Sequence, residues 1–180
     1  VSAGTVNVGA NPGNSIEYLN NGTLMIEGGA LNIAARFVAN DPPNSTGQYI
    51  QTGGTLTIFT VGSSSTTRAP FYLSPNASFT MSGGAIVVQK QSSNTGGEVV
   101  IASTSHSVTG GTLQIGNAST PAAQTIRINS TVPLYNLTVN ATNAPTAQLL
   151  TNGLTVKNDL TISGGTLNAN NLNLNVGRHW

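Results

Sequence analysis

Thr52-Gly53-Gly54-Thr55-Leu56-Thr57-Ile58 is one of five versions of the same seven-residue phrase in this chain. The others are Glu27-Gly28-Gly29-Ala30-Leu31-Asn32-Ile33, Ser82-Gly83-Gly84-Ala85-Ile86-Val87-Val88, Thr109-Gly110-Gly111-Thr112-Leu113-Gln114-Ile115 and Ser163-Gly164-Gly165-Thr166-Leu167-Asn168-Ala169. Their starts lie 25, 30, 27 and 54 residues apart. The last interval is twice the one before it, so the repeat is about 27 residues long with one degenerate marker.

Within each version, apolar and polar residues alternate after the glycines. Leu31, Leu56, Ile86, Leu113 and Leu167 hold one apolar position, and Ile33, Ile58, Val88, Ile115 and Ala169 hold the next. Before the glycines, Ile26, Gln51, Met81, Val108 and Ile162 form another series, broken only by Gln51. Leu24, Tyr49, Phe79, His106 and Leu160 precede those by two residues. Period-two alternation of this kind marks half-buried strands. Each version is therefore strand, Gly-Gly corner, strand. Val6 and Val8, Leu134 to Val139 and Leu154 to Ile162 alternate in the same way, and no stretch carries a helical period.

Short strands, three to a repeat and joined by Gly and Asn corners, predict an all-β fold. It is a single-stranded parallel β-helix, or β-solenoid, over residues 1–180 as one domain. About 27 residues per turn gives six to seven turns, and parallel crossovers favour the right hand. Four longer insertions are read as loops: Asn40 to Gly47, Gly62 to Pro70, Gln91 to Gly97 and Asn117 to Gln124.

The composition agrees. Gly 21, Asn 22, Ser 17 and Thr 24 make up close to half of the 180 residues, and charged residues only 6%. In a solenoid equivalent residues stack about 4.8 Å apart, so like charges would repel from turn to turn. Six cations cannot form a nucleic-acid-binding patch. No apolar run reaches the length of a membrane helix. With no Cys there is neither a disulfide nor a thiolate metal site, and no cofactor is expected.

The (Ser/Thr)-Gly-Gly-Thr-Leu units, Asn-Gly-Thr-Leu at Asn21 to Leu24, and the tail Gly-Gly-Thr-Leu-Asn-Ala-Asn-Asn-Leu-Asn-Leu-Asn-Val resemble the repeats of secreted bacterial surface proteins. Those include β-helical adhesins, autotransporter-passenger-like proteins and extracellular fibre proteins. The resemblance implies export, an extracellular or cell-surface location, and a structural or adhesive role. It supplies no site residues.

Polysaccharide-cleaving enzymes also use parallel β-helices, and they need converging carboxylates. The acids here are Glu17, Glu27, Asp41, Glu98 and Asp159, with no two within five residues and no pair one repeat apart. They are read as solvated corner residues. His106 is read as a stacking residue at a turn edge, in register with Phe79 and Leu160. His179 lies beside Arg178 and Trp180. Two His without Cys give no transition-metal site, and no Gly-x-Ser-x-Gly elbow is present. An ice-binding array requires one residue type repeated, whereas the outward series reads Asn32, Thr57, Val87, Gln114, Asn168. Tyr18, Tyr49, Phe71, Tyr72 and Trp180 are candidates for stacking on sugars, against the commoner fate of packing.

Val1 to Val8 and Leu172 to Val176 read as strands without a capping device. The expectation is either a slice of a longer solenoid or a subunit that polymerises end to end with copies of itself. The functional expectation is a non-enzymatic structural protein of an extracellular fibre. The alternatives are an adhesin for glycans or surfaces and a polysaccharide-cleaving enzyme. The residues on which this reading rests are the corner glycines Gly28, Gly29, Gly53, Gly54, Gly83, Gly84, Gly110, Gly111, Gly164 and Gly165, with the ladder Leu31, Leu56, Ile86, Leu113 and Leu167.

Overall fold

A computed structural model describes residues 1–19, 21–39, 46–63 and 67–180. It is all-β, a stack of parallel strands wound into a solenoid of about six turns, with partners about 25 residues apart and no helix among the described residues.

Three strand positions recur in each turn. The first holds Thr5–Val8, Ala30–Ile33, Thr55–Ile58, the second halves of Ser78–Val88 and Ser105–Ile115, then Asn136–Asn140 and Leu160–Gly164. The second holds Ile16–Leu19, Phe37–Ala39, Phe71–Leu73, Val99–Ile101, Thr125–Ser130, Thr146–Leu149 and Thr166–Asn168. The third holds Thr23–Ile26, Gln48–Gln51 and the first halves of the two long strands, and it resumes as Leu154–Val156 and Leu174–Val176.

The alternation read from the sequence becomes columns of stacked side chains. Val6, Leu31, Leu56, Ile86, Leu113, Leu137 and Leu160 lie one above another in direct register. Leu56 and Leu137 are 0% exposed, and burial of such a side chain contributes roughly 1.5–3 kcal/mol. In the middle turns, Phe37, Tyr49, Phe71 and Phe79 meet inside the coil with ring centroids 5.4 to 5.8 Å apart.

The corner between the third and first positions explains the glycine pairs. The second glycine of each pair takes a positive φ: 64° at Gly29, 63° at Gly54, 75° at Gly84 and 84° at Gly111. The first glycine sits against the backbone one turn below, so that a Cβ on Gly53 would strike the carbonyl of Glu27, one on Gly83 that of Thr52 and one on Gly110 that of Ser82. The backbone conformation and the close stacking both exclude a side chain.

The fifth phrase does not continue this column. Leu167 was expected above Leu113, but it stacks on Ala147 at the second strand position. The Leu113 column continues through Leu137 and Leu160 instead. Turns shorten from the middle of the coil onward. Partners one turn apart are Leu56 and Ile86 in the middle, Leu137 and Leu160 later, and Thr146 and Thr166 near the end. The phrase at Ser163 therefore reaches the next corner, where Gly165 has φ 118° and faces the Pro145 carbonyl. The 54-residue interval is not two 27-residue turns with a lost marker; two shorter turns and a change of corner fill it.

Candidate functional site

Connections between the first and second strand positions are long in several turns. Gly62 to Pro70, Gln91 to Gly97 and Asn117 to Gln124, all read as loops from the sequence, lie at this one corner. Residues 64–66 of the first of these, and 40–45 of the fourth predicted loop with Asp41 and Asn44, lie outside the described residues.

Beside these loops, charged side chains gather on the outer surface of the second strand position. Glu98 and Arg127 are directly stacked across one turn. Glu98 is fully buried and accepts five hydrogen bonds. Two come from Ser92, through its backbone N (3.1 Å) and Oγ (2.8 Å). Three come from Arg127, through its backbone N (2.6 Å), Nε (3.1 Å) and Nη2 (2.7 Å). Hydrogen bonding to Glu98 raises the Arg127 pKa above its ordinary value. Arg127 also donates to the Asn94 carbonyl, and Asn94 Oδ1 accepts from Gly96 N at 2.7 Å, closing the loop tip. A buried carboxylate is tolerable only when its charge and lone pairs are matched in this way.

A second pair departs from this rule, because Nε and Nη1 of its arginine, Arg36, are buried without a hydrogen-bond partner among the described residues. Glu17 binds the buried Arg36 through Nη2, with Arg68 at 3.9 Å. At the corner between the third and first positions, Asp159 Oδ1 accepts from Arg178 Nε at 2.8 Å and lies 3.1 Å from His179 Nδ1, while its Oδ2 accepts from Arg178 Nη2. The hydrogen bond from Arg178 is the chief cause that lowers the Asp159 pKa to about 2.

Glu98 is thus buried and Glu17 half-buried in ion pairs, not the solvated corner residues expected from the sequence; Asp159 is solvent-accessible at its corner, as read, and ion-paired there, and Glu27 is exposed at its corner, as read. The missed signal was opposite charge at one-turn spacing: Glu17 with Arg36, Glu98 with Arg127, Asp159 with Arg178. Spacing of acid against acid does not reveal it. The structure does not gather the carboxylates: among the described residues no three of His, Asp and Glu come together.

Arg68, Tyr72, Asn94, Gly96, Val100 and Asn129 line a shallow groove of about 290 Å³ between two of the loops. Tyr72 is half-buried there. Of the other aromatic candidates, Tyr49 and Phe71 are in the core and Trp180 is exposed; the side chain of Tyr18 lies outside the described part. His106 stacks on Phe79 as expected but not on Leu160. It is exposed, and its Nδ1 lies 3.1 Å from the Ser103 carbonyl. Several Asn of Asn-x-Ser/Thr triplets have their amides engaged between turns. Asn136 Nδ2 donates to Gly111 O at 3.1 Å and its Oδ1 accepts from Asn158 at 2.9 Å, while Asn129 Oδ1 accepts from Asn152 at 2.7 Å.

The two ends of the coil differ from its middle. Val8, Ile16 and Leu24 in the first turn are only partly buried, and so are Leu167, Leu172, Leu174 and Val176 in the last. Val6 and Ile162 are 44% and 46% exposed. Comparison with known families, curated proteins and solved structures finds no match to this chain.

Proposed function

We propose that this protein is a non-enzymatic, extracellular structural element: a β-solenoid rod to which further copies add end to end, forming a surface fibre. The observation that supports the reading is the half-open core of the first and last turns, which further solenoid turns, of another copy or of a longer chain, would cover. Inward side chains that are fully covered in the middle turns are half-exposed in the first and last, beside strand edges whose N–H and C=O groups have a partner on one side only. A second copy's strands satisfy those edges and cover those side chains together, and a contact of this head-to-tail kind does not close on itself. Near-zero net charge opposes the addition weakly.

Negative-stain electron microscopy of the purified chain at neutral pH tests this. Unbranched filaments whose length grows with concentration are expected. L167K/L174K, which places two cations on the last turn, is expected to leave short rods with unchanged circular dichroism. Discrete short rods from the wild-type chain at every concentration would overturn the reading.

The groove beside Tyr72 favours a second reading, adhesion to glycans, because an aromatic face flanked by amides is what stacks on and hydrogen-bonds to a sugar. Titration calorimetry with neutral and acidic oligosaccharides, repeated with Tyr72→Ala, tests it; heats that the variant leaves unchanged would exclude this groove.

A further inference from the structure

The charges of the chain are unevenly placed. None of the seven strands at the first position contains Asp, Glu, Lys or Arg. The ion pairs lie at the second position and at the corners. The outward side chains of the first position therefore form a neutral face along the rod, built of two columns.

The columns have a pattern that the seven-residue phrases do not reveal until they are stacked. The first reads Thr5, Ala30, Thr55, Ala85, Thr112, Asn136 in direct register. Larger and smaller side chains alternate from Thr5 to Thr112, and Asn136 follows as a second large one, which gives the face ridges and hollows. The second reads Asn7, Asn32, Thr57, Val87, Gln114, Thr138. All but the exposed Thr5 and Asn7 and the buried Val87 are half-exposed.

We propose that this face docks on the same face of a second copy, with the two rods antiparallel about a two-fold axis that runs along the strands between the Thr55 and Ala85 turns. That axis sets Thr55 against the second copy's Ala85, Ala30 against its Thr112 and Thr5 against its Asn136. In the other column it sets Asn32 against Gln114, two amides able to exchange hydrogen bonds, and Thr57 against the turn of Val87, whose side chain is covered within its own chain. Each ridge of the first column meets a hollow or an amide. Small neutral side chains interdigitating between two sheets about 10 Å apart form a dry contact, and an isologous contact of this kind needs only one surface.

The area sets the strength. Seven strands about 4.8 Å apart and four residues at about 3.3 Å each cover roughly 400 Å² per copy. That is about half of the roughly 800 Å² per partner in a standard stable interface. Single rods therefore pair weakly and at high concentration. Rods joined end to end pair tightly, because each added copy brings another face at high effective concentration. This second effect rests on the end-to-end reading; the face itself does not.

Electron microscopy reads the two contacts separately, since filament length reports end-to-end addition and filament width reports face-to-face docking. Wild-type filaments are expected at double width, and sedimentation velocity of short rods is expected to shift toward a dimer as concentration rises. T55K/T57K is expected to give single-width filaments of unchanged length. A30T/A85T adds no charge but fills the hollows, and is expected to do the same. Gln148→Lys, a charge at the second strand position, is expected to leave the double width intact. Unchanged circular dichroism establishes that the variants fold. Single-width wild-type particles with no dimer at any concentration, or double-width filaments from T55K/T57K, would overturn the proposal.

Discussion

Gln51 breaks the apolar series of Ile26, Met81 and Val108, and the structure gives the reason. Its side chain is 0% exposed, and its Oε1 accepts from the Tyr49 hydroxyl at 2.7 Å. Its Nε2 donates to the carbonyls of Gly53, Gly54 and Ala85 at 3.1 to 3.3 Å. Those carbonyls belong to the corner, so Gln51 ties the corner from inside the coil. Burial pushes the Tyr49 pKa well above the ordinary phenol range, so the hydroxyl stays protonated and remains a donor. Tyr49→Phe leaves Oε1 buried without a partner, at an expected cost of about 1–3 kcal/mol. The phenol and the amide act as a unit, so Y49F/Q51L is expected to be less destabilised than the sum of the two single changes. Urea unfolding of the four proteins measures this, and simple additivity would show that the pair is not coupled.

At the scale of the elements, the Gly-Gly corner combines two constraints that substitution can separate. At Gly84, φ is 75° and a Cβ would run into the Gly53 and Gly54 carbonyls; at Gly13, φ is 91° and nothing lies within 4 Å. Placing Ala in the left-handed region costs about 1–2 kcal/mol by itself. Gly13→Ala is expected to lose only that amount. Gly84→Ala is expected to lose more, because the turns must also separate. Thermal unfolding compares them, and equal losses would mean that stacking at the corner tolerates a methyl group. These corners are also where the sequence was most informative. The column Leu31, Leu56, Ile86, Leu113 could be read directly, because the strands alternate with period two and their corners are alike. Leu167 could not be placed, because Gly-Gly-Thr-Leu encodes a tight corner followed by a strand and does not say which corner. The ion pairs of Glu17, Glu98 and Asp159 were hidden for a related reason. Contact in a solenoid follows the local turn length, which varies, so a search at one fixed spacing passes over partners that lie on top of one another.

For the molecule as a whole, each turn touches the turns before and after it, and the strand partners are all of this kind. Stability is then a sum over turns and their interfaces, and opening from an end breaks one interface where opening in the middle breaks two. Amide hydrogen exchange is expected to be slowest in Thr55–Ile58, Ser78–Val88 and Ser105–Ile115, and fastest in Thr5–Val8 and Leu174–Val176, where the core is half-open. Uniform exchange rates along the chain would instead indicate that the stack opens in a single step. The uneven distribution of charge belongs to this scale too: the face proposed for docking exists only when the turns are assembled, since no single strand displays the alternation of Thr and Ala.

The stacked register also governs how such a chain can change over generations. Because period-two strands have an inside and an outside, a shift of a single codon between Thr55 and Ile58 would turn Leu56 and Ile58 outward. Loss or duplication of everything from one corner glycine to its counterpart a turn later keeps the strands in phase, although it parts pairs held between turns such as Glu98 with Arg127. The gene can therefore grow or shrink in whole turns while its reading of inner and outer faces is preserved, and the length of the protein becomes a heritable ruler marked in layers.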